Sequence, residues 1–203
     1  MTERGTLRLA AVDIGAESGR VLVGTFDGGR LAIEDVHRFP NVPVTVAGTM
    51  HWDALRLFGD ITAGLRKAGA AGDVASVGVD TWGVDFALLD ERGRLLANPV
   101  HYRDARTDGM VERAFSLVPR DEIYATTGIQ FMALNTLYSL YAHKLADPDA
   151  VANGQLLFMP DLFHYWLSGE RSIESTIAST SQMVDCHTGD WAREMLTELG
   201  LPT

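Results

Sequence analysis

Two short segments rich in acids and glycines carry most of the chemistry this sequence offers. The first is Asp13-Ile14-Gly15-Ala16-Glu17-Ser18-Gly19-Arg20, which continues an apolar run beginning at Leu7. A carboxylate at a strand end can hold Mg²⁺ through water, because that ion parts reluctantly with its hydration shell. Glycines at 15 and 19 would permit positive φ and close backbone approach, so that N–H groups face phosphate oxygens. Ser18 would add a hydroxyl donor and Arg20 a positive charge. The same string also reads as an ordinary hairpin turn. The second segment, Asp80-Thr81-Trp82-Gly83-Val84-Asp85, lies just beyond another buried run, Val74–Asp80. An indole face can stack on a sugar while a carboxylate accepts from its hydroxyls. The competing reading is a tight turn with a core tryptophan and two solvated acids.

Three further segments are less telling. In His101–Thr107, Arg and Asp stand close enough to form local ion pairs, which are worth little when exposed. Gln130 and Asn135 are set among bulky apolar residues in Thr127–Tyr138, so each needs a partner, either backbone or ligand hydroxyls. Asp161 reads as the cap of a following helix. The six histidines are scattered without ligand spacing, and no metal cluster is apparent. Neither a G-x-x-x-x-G-K-[ST] loop nor a G-x-S-x-G elbow occurs.

The elements that must position these residues follow from pattern. Leu7–Ile14, Val21–Phe26 and Leu31–Phe39 read as three strands joined by tight turns, an antiparallel meander. Residues 41–50 read as a loop. Asp53 then reads as a helix N-cap, with Trp52 and Leu57 placed as a hydrophobic staple and Ala54, Phe58, Ile61, Leu65 and Ala68 forming one buried stripe. A strand over 74–80 and a hairpin starting with Val84–Leu89 follow. Helices are predicted over 104–118, 135–146 and 161–167, with a strand at 156–159. A β-β-β-α-β start excludes a Rossmann domain, where a crossover helix follows the first strand. It fits the mixed α/β, actin-like or ribonuclease-H-like arrangement, with a mixed five-stranded central sheet.

Composition narrows the function classes. A chain of 203 residues suits one domain, and a formal charge of −10 argues against nucleic acid. Nucleotide binding survives that objection, since backbone donors and a metal act locally. Cys186 is the single cysteine, so no intramolecular disulfide forms and a reducing cytoplasm is the simpler expectation. The opening MTERGTLRLAAVDIG does not read as a signal peptide, and no apolar run approaches the roughly 20 residues that span a bilayer.

Taken together, VDIGAESGRV (12–21), HRFPN (37–41), VGVDTWGVDFALLD (77–90), YRDART (102–107), TGIQFMALNTLY (127–138), FMPDLFHYWLSG (158–169) and STIASTSQ (175–182) resemble the FGGY carbohydrate kinases, and within them the L-rhamnulose kinase branch. The resemblance runs in order over essentially the whole chain. It implies transfer of the ATP γ-phosphate to L-rhamnulose, giving L-rhamnulose 1-phosphate and ADP. It also implies that residues 1–203 form the N-terminal, sugar-binding domain of a two-domain cleft. By position, Asp13 would face Mg²⁺ through water, and Gly15, Ala16, Glu17, Ser18, Gly19 and Arg20 would form the turn against the phosphates of ATP. Gly83 would sit on the sugar with Thr81, Trp82 and Asp85 around it, and Tyr102, Gln130 and Asn135 at the rim. Glu17 stands where the family often has a hydroxyl residue. Family members are roughly twice this long, and their general-base Asp and adenine pocket fall beyond Thr203. The expectation is therefore a chain with part of both sites, little turnover of its own, and an apolar face prone to self-association.

Overall fold

The structure, a computed structural model, describes residues 6–202; residues 1–5 and 203, the two ends of the expected domain, lie outside the described residues. Strands β1 (Leu7–Ile14), β2 (Ser18–Phe26) and β3 (Leu31–Pro40) form the expected meander, and β1 pairs in parallel with β6 (Ser76–Thr81). The sheet runs β3-β2-β1-β6, with four strands where five were expected. At the β6 edge, His164 Nε2 sits 3.3 Å from the Val79 nitrogen and 3.1 Å from its oxygen, occupying backbone that a fifth strand would use. The next strand, β7 (Phe86–Leu89), instead pairs antiparallel with β8 (Gln155–Phe158) as a separate ribbon. Its expected hairpin return survives only as a single bridge between Leu89 and Leu95.

Helix α1 (Ala54–Ala70) is stopped at its start by Asp53, whose carboxylate accepts from Arg56 N. It buries Leu57 and Ile61 against Val12, Ile14 and Val21 of the sheet. Gly64 lets the helix approach closely: a Cβ there would stand 2.4 Å from a Val21 methyl. The expected stripe is right in period but turned slightly, with Leu57 and Gly64 fully inside and Phe58 and Leu65 at the margin. The opposite face of the sheet is open. Ala11 and Gly78 are exposed there and their neighbour Leu22 is half-buried.

The β7–β8 ribbon is buried on both faces and divides two cores. Ala87, Leu89 and Leu157 point into the first core, with α1 and α6 (Met159–Ser168). Phe86, Leu88 and Phe158 point into the second, beside α4 (Thr136–Ala146) and α8 (Arg193–Glu198). Successive side chains of a strand face opposite ways, so one short apolar run can serve both. Helices α2 (Met110–Phe115), α3 (Arg120–Thr127), α5 (Pro148–Asn153) and α7 (Ser175–Ser179) complete the molecule.

Several local expectations change. The stretch 41–50, read as loop, holds all but the last residue of the hairpin β4 (Val44–Val46) and β5 (Thr49–His51), turning through Ala47 and Gly48, both at positive φ. The helix expected over 104–118 is a 3₁₀ turn (Ala105–Thr107) followed by α2. Helix α6 begins two residues early: Phe158 is its N-cap, and Asp161 lies buried in its first turn, accepting from Glu174 N.

Candidate functional site

Parallel pairing of β1 with β6 sets Asp13 opposite Asp80 and Ile14 opposite Thr81, so the two acid-glycine turns leave the sheet side by side at its C-terminal edge. Ligands of open α/β sheets gather at such an edge. Everything else about the site follows from how each turn is held.

The first turn is held lightly. Gly15 N donates to Ser18 O, and Asn41, at the end of the meander, donates its backbone N–H to Glu17 O and its Nδ2 to Gly15 O. Asn41 is buried, and its Oδ1 has no partner among the described residues. Sequence reasoning passed over Asn41; its one signal was a polar residue closing the HRFPN string. Neither Gly15 nor Gly19 takes positive φ, contrary to expectation. Gly19 is small for another reason: a Cβ there would lie 2.3 Å from the Phe39 ring. The Gly15 amide is spent within the turn, on Ser18 O. Glu17 and Ser18 are exposed. Asp13 and Arg20, each 44% exposed, pair at 2.7 Å. Asp13 and Asp80 offer only oxygen donors, on adjacent strands and open to water, a set that suits a hydrated Mg²⁺.

The second turn is held tightly. Asp85 N donates to Gly83 O across Val84, whose φ of 71° is strained for a β-branched residue. Thr136, the first residue of α4 and fully buried, clamps the strained unit by donating its hydroxyl to Val84 O at 2.8 Å. Asp85 is 1% exposed, and its Oδ2 accepts from Trp52 Nε1, from Trp82 Nε1 at 2.9 Å and from Tyr102 N at 3.3 Å. Oδ1 is buried without a partner among the described residues. Burial pushes the Asp85 carboxyl up to about 6, against the opposing pull of the two indoles, the Tyr102 amide and Arg106. Trp52 stacks on His101 at 3.9 Å and lies against Trp82 at 4.0 Å, with Tyr102 packed on His101. Burial, then Arg103, pushes His101 down to about 4, so its ring is neutral near pH 7. Thr81 donates to Trp82 O.

The segment 101–107 does not form the expected ion pairs. Asp104 caps the 3₁₀ turn and also accepts from Met50 N at 2.8 Å, tying it to the β4–β5 hairpin. Arg106 turns inward, donating to Ser139 Oγ at 2.6 Å beside His143. Burial lowers it to about 10. Trp52, His101 and Arg106 are thus site-supporting residues that the sequence reading missed. Trp52 was read only as a staple.

A cleft of about 280 Å³ holds Asp80, Asp161, His164, Glu174 and Thr180, and Gly83 stands against two of its lining residues, Thr180 and Ile177. A Cβ at Gly83 would meet only Thr180 Oγ1 at 3.8 Å and Ile177 Cδ1 at 4.0 Å, so the position is open toward the cleft. Hydrogen bonds from Thr176 and the Ile177 amide hold the exposed Glu174 carboxyl at about 2.

The remaining two candidates sit elsewhere. Asn135 is buried, with Nδ2 donating to Gln130 O at 2.8 Å and Gln182 Oε1 at 2.9 Å, while Gln182 Nε2 donates to Ile129 O. The Gln130 side chain is exposed and lines a different cleft, with Arg120, Tyr124 and Phe131. This network joins the 127–138 and 175–182 strings that the sequence singled out. Thr136 ties it to the tight turn through Val84 O, and Thr180 and Ile177 stand against Gly83.

Residues 9–203 match the model of the FGGY family of carbohydrate kinases, N-terminal domain. A protein of Oceanobacillus iheyensis named rhamnulokinase is 42% identical over 192 residues, covering 94% of this chain and 41% of that protein. A rhamnulokinase of Bacteroides thetaiotaomicron is 44% identical over 193 residues, covering 94% and 40%. The chain therefore spans about 40% of the length of the curated relatives it matches. Among solved structures, gluconate kinase of Lactobacillus acidophilus superposes with a TM-score of 0.84 at 16% identity, covering 98% of this chain and 40% of that one. Xylulose kinase from the same organism gives 0.83 at 17%, covering 97% and 40%. At that identity the likeness establishes the fold, the mixed α/β actin-like one. Among the described residues, no helix is long and apolar enough to cross a membrane.

Proposed function

The chain belongs to the FGGY family of carbohydrate kinases, and from that premise we propose that it supplies the sugar-binding half of an ATP-dependent kinase acting on L-rhamnulose. The observation that carries the reading is the Asp13–Asp80 register, which sets the phosphate turn beside the Trp82–Asp85 turn. Phosphoryl transfer depends on such positioning more than on covalent help from the protein.

In this reading Asp13 and Asp80 hold the hydrated Mg²⁺, which offsets phosphate charge when bound. The Ala16–Ser18 backbone and Arg20 orient the phosphates. The Asp85 carboxylate aims Trp82 and fixes Tyr102, and the missing side chain of Gly83 leaves room for a six-carbon ketose. The transfer itself forms a bond from a sugar hydroxyl oxygen to the γ-phosphorus and breaks the bond to the ADP oxygen. The hydroxyl proton goes to a base that we place in the portion of the relatives this chain does not cover, together with the adenine pocket. The 203 residues alone would then turn over little or nothing.

The test joins this chain to the remaining residues of the Bacteroides thetaiotaomicron relative and measures ADP release. L-rhamnulose should be preferred over L-fuculose, D-xylulose and glycerol by about 100-fold or more in kcat/KM, the order that pocket size alone reaches. Preference for another acceptor would overturn the substrate. Sugar-dependent ADP release by the 203-residue chain alone would overturn the divided site.

A further inference from the structure

Asp185, Cys186 and His187 follow one another in the turn between α7 and α8, against the end of α3. Consecutive residues of an extended chain point opposite ways. Here the turn gathers them: a carboxylate oxygen, the thiol sulfur and a ring nitrogen all lie within 4.8 Å of one another. We propose that these three side chains bind a divalent transition-metal ion of the Zn²⁺ class, at a site separate from the one that faces phosphates.

The donor set selects the ion. A thiolate with an imidazole suits a borderline-soft cation and disfavours Mg²⁺, which prefers oxygen alone. Three protein ligands leave one position of a tetrahedron for water. The supports are already in place. His187 Nε2 lies 3.1 Å from Ala125 O; donating there fixes the tautomer and leaves Nδ1 with a lone pair for metal, the arrangement that orients most ligating histidines. Cys186 N donates to Thr126 O at 2.9 Å, docking the turn on the last turn of α3. Asp185 Oδ1 accepts from the His187 backbone N–H at 2.8 Å, which limits the rotation of the carboxylate. Cys186 is exposed, so the ion has a path in.

Charge favours a cation. The cleft that includes Asp185 also holds Glu122, Asp190 and Glu194, and its one cation, Arg193, lies 3.5 Å from Asp190. Binding would form a sulfur–metal bond and release the thiol proton to solvent, with no change of oxidation state. It would also tie the turn to the end of α3. The thiol sulfur stands 3.8 Å from where a Cβ on Gly128 would be, and Gly128 opens the loop whose carbonyls at 129 and 130 take the Gln182 and Asn135 amides. Occupancy would thus stiffen the loop that carries Gln130.

The experiment titrates the metal-stripped 203-residue chain with Co²⁺ and follows the near-ultraviolet thiolate-to-cobalt charge-transfer band. The band should saturate at one equivalent, disappear on adding Zn²⁺ and persist in excess Mg²⁺. Zn²⁺ should also protect Cys186 from a thiol reagent. Cys186→Ser should remove the band, while His187→Ala and Asp185→Asn should each weaken Co²⁺ binding by about 10-fold or more, with far-ultraviolet circular dichroism unchanged. No band in the wild-type chain, or equal affinity in the His187 and Asp185 variants and the wild type, would overturn the site.

Discussion

The two turns leave one edge of one sheet, yet they are built on opposite terms. The Asp13–Arg20 turn is exposed, its ion pair is wet, and its backbone is held mainly by Asn41. The Trp82–Asp85 turn is strained at Val84, clamped by Thr136, and organised around a carboxylate 1% exposed with three donors on one oxygen. A surface that must admit a highly charged ligand and its water cannot also be tightly packed. A sugar pocket gains from rigid walls that need no ordering when the ligand arrives. The difference says which acid the fold depends on and which it merely displays.

Exchanging each acid for alanine gives the largest separation. Asp85→Ala strands two indole N–H groups and the Tyr102 amide, each worth about 1–3 kcal/mol when buried and unpaired. Losing the buried charge offsets part of that, so we expect a net loss of about 3 kcal/mol in urea unfolding. Asp13→Ala breaks a half-exposed pair and should cost less than about 1 kcal/mol. Equal costs would show that the two turns are not held differently.

The pH dependence sharpens the same contrast within the tight turn. The Asp85 carboxyl is raised from 3.8 to about 6, so from about 4 to 6 the folded chain keeps a proton that the unfolded chain has released. Its contribution therefore favours folding at low pH and is lost as pH rises through 6, by about 3 kcal/mol over the window. His101 is lowered from 6.5 to about 4, so over nearly the same window the unfolded chain holds the extra proton and stability rises with pH. In the wild-type chain the two slopes oppose. Asp85→Asn should leave stability rising more steeply between pH 4 and 6, and His101→Gln should leave it falling. Parallel profiles for all three proteins would mean that neither group titrates as its surroundings dictate.

The scaffold beside the wet turn was the legible part. The meander, the Asp53 cap and the period of α1 rest on neighbours in sequence, and alternation or helical spacing displays them. The short hairpin at 44–51 was not legible: three-residue strands carry little pattern, and Ala47 rather than glycine takes the first positive φ of its turn. The choice of β8 as partner of β7 was hidden as well, because the two strands pair across more than sixty residues of intervening chain, Phe86 opposite Phe158. The tight turn was legible as a string of residue types, Asp80 through Asp85, but not as a construction. Trp52 lies 33 residues from Asp85 and Thr136 lies 52 from Val84, and nothing local in either announces the other. Gln130 and Asn135 looked equivalent as polar residues in apolar company, yet one is exposed at a separate cleft and the other is spent on backbone and Gln182.

Asn41 offers the smallest and most discriminating break. It is the residue that makes the wet turn more than a hairpin, because its side chain reaches across 26 residues to Gly15 O. Its Oδ1 is already unpaired, so Asn41→Ala removes one hydrogen bond and relieves one orphaned acceptor. The net change should be about 1 kcal/mol or less. If the turn's shape matters for phosphates, nucleotide affinity in the fused kinase should fall several-fold while the KM for sugar stays put. The Trp82–Asp85 turn has its own clamp in Thr136 and does not lean on Asn41. A matching loss in sugar KM would show that the two turns are mechanically joined, and that the register between Asp13 and Asp80 transmits strain as well as position.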